Sequence, residues 1–152
     1  PPGAWSKAVI STVEKVLFLK SIDLFSQIPG EDLARVALIA SEVDFEPGEA
    51  LMTEGEIGDS MYLILTGEVE VLKGHSEVAG LGPKECVGEM AILDSEPRSA
   101  TVRARTPTRA LQVEREDFYD LLNERIDIAR GIVKVLCRRL RETTARAPGA
   151  QP

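Results

Sequence analysis

A chain of 152 residues is long enough for one domain with a continuous core and short extensions. Its 25 acidic against 18 basic residues leave a net charge of −7, which argues against direct nucleic-acid binding by this chain. Cys86 and Cys137 lie far apart without paired spacing, so neither a disulfide framework nor a zinc site is expected, and a reducing, cytoplasmic setting fits. Pro1-Pro2-Gly3-Ala4 does not read as a secretory signal, and no uncharged apolar run is long enough to span a bilayer. A start without methionine is what a fragment or processed chain would have, and residues 147–152 read as a flexible tail.

In chain order, Val9, Val13, Val16, Leu17 and Phe18 recur near helical spacing and predict a helix from Trp5 to Lys20, its first part forming an N-terminal extension over 1–15. A turn over 21–30 precedes a second helix, Glu31 to Ala40, with Leu33, Val36, Ala37 and Ala40 on one face. Between Val43 and Leu81 the pattern changes to strands punctuated by Pro47-Gly48, Gly55, Gly58-Asp59, Thr66-Gly67 and Gly74. Glu68-Val69-Glu70-Val71 alternates cleanly, whereas Met61 to Leu65 is a continuous apolar run and is expected to be buried on both sides. Short strands at close spacing predict a sandwich or roll. His75, the lone histidine, falls in a Gly74-His75-Ser76 turn, without the clustered partners that a metal-dependent jelly-roll enzyme needs.

The segment Cys86 to Ala104 carries the strongest chemical signal. Gly88 permits a backbone geometry closed to other residues, and Glu89 to Leu93 is short and helix-compatible, so its first amides suit an anion. Asp94 and Ser95 turn the chain, and Pro97 launches Arg98 at the head of an expected strand through Val102. The planar fork of a guanidinium matches two phosphate oxygens, and Ser99 adds a hydroxyl and an amide. A carboxylate, Glu89, beside such a site repels phosphate unless the ligand also offers a donor. A ribose hydroxyl is such a donor, so the pattern points to a nucleotide.

Downstream, Ala110 to Val113 is a last strand, Arg115 to Glu124 a helix, and Asp127 an expected N-cap for a final helix through about Arg146. Ala129, Ile132, Val133, Leu136, Cys137 and Leu140 form its expected apolar stripe, opposite Arg130, Lys134, Arg138, Arg139 and Arg141. A basic run of this kind is ordinarily a solvated face.

Gly88-Glu89-Met90-Ala91-Ile92-Leu93, a short spacer and Pro97-Arg98-Ser99-Ala100-Thr101-Val102 resemble the phosphate-binding cassette of the cyclic nucleotide-binding domain family, as in cyclic-AMP receptors and protein kinase A regulatory subunits. The resemblance implies an α+β, mainly β fold: a jelly-roll-like β-roll over about 43–113, flanked by N-terminal helices and two C-terminal helices over about 115–146, in a domain spanning 16–146. It implies that Arg98 pairs with the cyclic phosphate, that Glu89 accepts from the ribose 2′-hydroxyl, and that Gly88, Met90, Ala91, Ser99 and Ala100 give contacts or close approach. Serine at position 99 resembles the cyclic-AMP-binding regulators more than the cyclic-GMP-binding modules, while Val87 departs from the family's frequent phenylalanine. The last helix is implied to act as a lid, hinged around Asn123 to Asp127, with a residue such as Arg130, Lys134 or Arg138 meeting the base.

The function so implied is a non-enzymatic regulatory sensor that needs no cofactor, takes cAMP or else cGMP as ligand, and controls an effector outside the chain. Implied partners also include a second copy through the C-terminal helix and, as in some family members, an attached membrane protein. The alternative is a degenerate fold serving as a ligand-free interaction or dimerisation module.

Overall fold

The computed structural model describes residues 10–146, and the expectations for residues 1–9 and 147–152 fall outside them. Helix α1 (Thr12–Ser21) opens on a capping box, in which the Ser11 side chain accepts from the Glu14 amide and the Glu14 carboxylate accepts from the Ser11 amide. The expected apolar face of this helix is only partly buried. Leu19 is covered and Val16 and Phe18 pack partly, while Val13 and Leu17 face outward; Lys15 on the inner side reaches the Ala40 carbonyl. A 3-10 turn (Asp23–Phe25) follows, then helix α2 (Gly30–Ile39), whose Leu33, Val36 and Ala37 are buried as the spacing predicts.

Among the described residues, eight strands form two antiparallel four-stranded sheets. The first runs β1 (Ala40–Phe45), β8 (Thr108–Glu114), β3 (Ser60–Thr66), β6 (Cys86–Val87); the second runs β2 (Ala50–Met52), β7 (Thr101–Ala104), β4 (Val69–Lys73), β5 (Ser76–Leu81). This is the expected roll with flanking helices. Strand β3 explains the layering. Met61 and Leu63 face the helices, whereas Ser60, Tyr62 and Ile64 alternate onto the face toward the second sheet. His75 lies at the β4–β5 hairpin tip, beside Gly74 in the left-handed region.

The cassette contributes helix α3 (Glu89–Asp94), and helices α4 (Arg115–Glu124) and α5 (Ile126–Arg146) close the chain. Asp127 sits inside the first turn of α5 instead of capping it, because Arg125 already ends α4 in extended geometry and α5 starts at the next residue. Arg125 is anchored there by its Nε donating to the fully buried Asp32 at 2.8 Å.

The buried face of α5 differs from the expected stripe: it is Ile128, Gly131, Ile132 and Val135, with Val133, Leu136, Cys137 and Leu140 exposed. Gly131 sets this rotation. A Cβ there would lie 2.8 Å from the Gln27 carbonyl oxygen, so only glycine lets the helix press against the backbone before α2. No helix among the described residues is long and apolar enough to cross a membrane.

Candidate functional site

The cassette begins where β6 pairs with Tyr62 and Leu63 of β3. Gly88 then takes a φ of +86°, and a Cβ there would lie 2.5 Å from Arg98 Nη1 and 2.9 Å from Met52 Cε. Glycine is thus required both by conformation and by space. Helix α3 is seated by fully buried Ile92 and by the Leu93 carbonyl, which accepts from the Tyr119 hydroxyl of α4 at 3.0 Å. Ser95 turns the chain at a φ of +61°, and the Asp94 carboxylate accepts from the Glu96 amide at 3.0 Å.

Arg98 does not head a strand. Its amide donates to the Glu56 carbonyl at 2.8 Å, and its carbonyl accepts from the Gly55 amide at 2.9 Å. Tied to that turn, the chain bends through Ser99 and Ala100, and β7 starts only at Thr101. The bend sends the Arg98 side chain inward, where it is 6% exposed. Nη1 donates to the Gly88 carbonyl at 3.0 Å and Nη2 to the Ser60 carbonyl. The guanidinium also lies across Gly58, where any Cβ would overlap it. The sequence marks Gly58 only as a turn residue; its role in admitting the arginine depends on a contact 40 positions away.

Burial pulls the Arg98 guanidinium below its usual range, while the Tyr62 phenol and Asp59 carboxylate nearby pull the other way. It remains a cation at any working pH. Burial likewise raises the Tyr62 phenol, and the Cys86 thiol is pushed well up by burial and by Glu89.

These elements surround a cavity of about 340 Å³. Gly88, Glu89, Met90, Arg98, Ser99 and Ala100 line it, and Ala91 belongs to the same helix α3. Its apolar walls are Met52, Val71, Leu81, Val87 and Val102, from five strands of the roll, and Cys86, Asp94, Glu96 and Pro97 complete the lining. Met52, Val71 and Leu81 come from strands far along the chain, where the sequence reads them as ordinary core. The arrangement offers one buried cation, the half-buried Glu89 carboxylate, two exposed carboxylates on Asp94 and Glu96, a hydroxyl and an apolar wall. It can hold a small anion carrying both a hydrogen-bond donor and a flat apolar portion.

The three lid candidates lie elsewhere in this structure. Arg130 faces Asp127 at 3.7 Å, Arg138 binds Asp23 and approaches Glu142 at 3.8 Å, and Lys134 is exposed; none lines the cavity. Arg139 of that helix does reach the edge of the cassette. It holds Asp23 at 2.9 Å and, with Glu89 and Cys86, lines a second depression of about 260 Å³ beside the first.

Fold and site together define a β-roll whose cavity opens on a buried guanidinium. The sequence pattern described as "Cyclic nucleotide-binding domain" matches residues 42–125, and the chain belongs to that family. It is 38% identical over 112 residues to a cAMP-dependent protein kinase regulatory subunit of Yarrowia lipolytica, covering 72% of this chain and 30% of that protein. Identity is 29% over 125 residues to a CRP-like cAMP-activated global transcriptional regulator of Mycobacterium tuberculosis, covering 79% and 56%. The chain thus spans only 30% to 56% of the length of these curated relatives. Among solved structures, the N-terminal domain of a transcriptional regulator from Streptomyces coelicolor A3(2) superposes with a TM-score of 0.75 at 31% identity, covering 83% of this chain and 92% of that one.

Proposed function

We propose that this chain is a regulatory sensor that binds a cyclic nucleotide, cAMP in preference to cGMP, in the cassette cavity, and transmits occupancy through α4 and α5 to an effector outside it. The observation that carries the reading is the buried Arg98 guanidinium opening on the same cavity as Glu89 and Ser99. A cyclic phosphodiester satisfies the cation, its ribose hydroxyl satisfies Glu89, and its base meets the apolar wall from Val71 to Val102. The names of the two curated relatives, one a kinase regulatory subunit and one a cAMP-activated transcriptional regulator, support a role in control without catalysis. Preference for cAMP rests on Ser99.

The break at Arg125 between α4 and α5 supports a hinge there. Ile126, Ala129, Val133, Leu136 and Leu140 follow a three-four spacing on the outer face of α5, which supports pairing with a second copy of the chain. That same face is what a ligand-free dimerisation module would use, so ligand binding separates the two readings.

Calorimetry tests the proposal. The parent chain binds cAMP, and Arg98→Ala, which removes a buried charge partner worth roughly 2–5 kcal/mol, weakens binding at least ~30-fold. Equal affinity in both, or no heat from the parent at millimolar cAMP, overturns it. Nucleotide recovered after incubation is chemically intact.

A further inference from the structure

Beside Arg98 a polar cluster runs from the roll interior to its surface, with Ser60 buried, Tyr62 and Gln112 half-buried, and Asp59 and Glu114 exposed. In the β3–β8 register Ser60 stands opposite Glu114, and Tyr62 opposite Gln112. Gln112 Nε2 donates to Ser60 Oγ at 2.9 Å and lies 3.5 Å from the Tyr62 hydroxyl. Ser60 Oγ in turn stands 3.2 Å from Glu114 Oε2 and 3.4 Å from Asp59 Oδ1 as a donor. Ser60 is 2% exposed, and its carbonyl is the one that accepts from Arg98 Nη2. A single residue therefore joins two systems: its side chain is held by β8, and its backbone holds the guanidinium.

Backbone pairing between β3 and β8 gives Ser60 a sheet partner without any such collar, so stability alone does not call for the side-chain chain of bonds. Its effect falls on the carbonyl. Of the five N–H groups on Arg98, one on each terminal nitrogen is spent on the Ser60 and Gly88 carbonyls, and three remain. Where the two carbonyls stand decides which way those three point.

Resting on the cyclic-nucleotide reading above, we propose that Gln112 is a positioning residue for the phosphate site. Acting through the Ser60 hydroxyl, it fixes the carbonyl clamp and so selects the exocyclic phosphate oxygen that Arg98 meets. Ser60 is the intermediary and Gln112 touches no ligand. Its sequence position, on the last strand and well after the cassette, gives no hint of this, since a glutamine on an alternating strand reads as solvent-facing.

The test uses the whole chain, calorimetry, and three probes: cAMP and its two cyclic phosphorothioates, in which sulfur replaces one or the other exocyclic oxygen. Gln112→Met keeps the side chain's shape and removes its hydrogen bonds. We expect cAMP to bind about 3–10-fold more weakly and the parent's preference between the two phosphorothioates to shrink toward equality. Ser60→Ala does the same, and the double variant is no worse than either single one, because both break one chain of bonds. Parent-like affinity and preference in both variants overturns the positioning role. So does an equal loss for both phosphorothioates, which marks a merely structural effect. Failure of the parent chain itself to bind any of the three probes overturns the underlying functional reading instead.

Discussion

The two faces of the first sheet bury different amounts of the chain. Toward the helices, Met61, Leu63, Leu111 and Val113 meet Phe25, Leu33, Phe118 and Ile132 in a cluster of nineteen buried residues, whereas toward the second sheet the buried cluster has only six. The difference separates two tasks. A well-filled helix side holds the fold, so the roll interior can stay under-filled and keep a cavity without costing the domain its stability.

The largest break in that comparison is expected on the helix side. Phe118 is fully buried, and its ring lies 6.3 Å from that of Phe25. Phe118→Ala should cost about 3–5 kcal/mol, read as a lowered midpoint in urea unfolding. Val71 is only partly buried on the cavity wall. Val71→Ala should cost under about 1 kcal/mol, because the atoms removed already border open space. If the two variants lose equal stability, the division of labour between the faces is wrong.

A sharper version concerns the two faces of α5. Leu136→Glu with Leu140→Glu leaves unfolding of the monomer nearly unchanged, since both side chains are exposed, Leu140 by 67%. The same pair should abolish self-association measured by sedimentation: each leucine that pairing would bury is worth roughly 1.5–3 kcal/mol, and each new carboxylate would meet its copy. Self-association as strong as the parent's would remove the seam from the proposed function.

Why the sequence shows one of these faces and hides the other follows from α5 itself. Two apolar stripes interleave along it, one through Ile128, Ile132 and Val135 and one through Val133, Leu136 and Leu140, and periodicity alone does not rank them. Gly131 decides, through its approach to Gln27, and a helical glycine carries no such message when read locally. The strands were legible because β3 and β4 alternate or run apolar as burial requires. The roll and the family followed from the cassette motif. The start of β7 was not legible, because the Gly55–Arg98 and Arg98–Glu56 backbone bonds that delay it join segments some 40 residues apart. Gln112 and the cavity walls stayed hidden for the same reason: their meaning lies in what the roll brings beside them.

The smallest expected effect tests how α5 is held. Asp23, on the 3-10 turn, accepts from both Arg138 and Arg139. Burial on the turn pushes its carboxyl up, but the hydrogen bonds and charge of Arg139 and Arg138 outweigh this and hold it below the ordinary carboxylate value. A carboxyl depressed in the folded state stabilises the fold at any pH above its unfolded value, and that contribution disappears as pH falls through the folded value. With the Asp23 side chain 53% exposed, solvent screening limits it to under about 1 kcal/mol. The parent should therefore exceed Asp23→Asn slightly in unfolding free energy at neutral pH and low salt, with the gap closing both in acid and at high salt. A gap that survives acid would mean that Asp23 acts through something other than its charge on Arg138 and Arg139, and would remove the ion pair as the tie between the turn and α5.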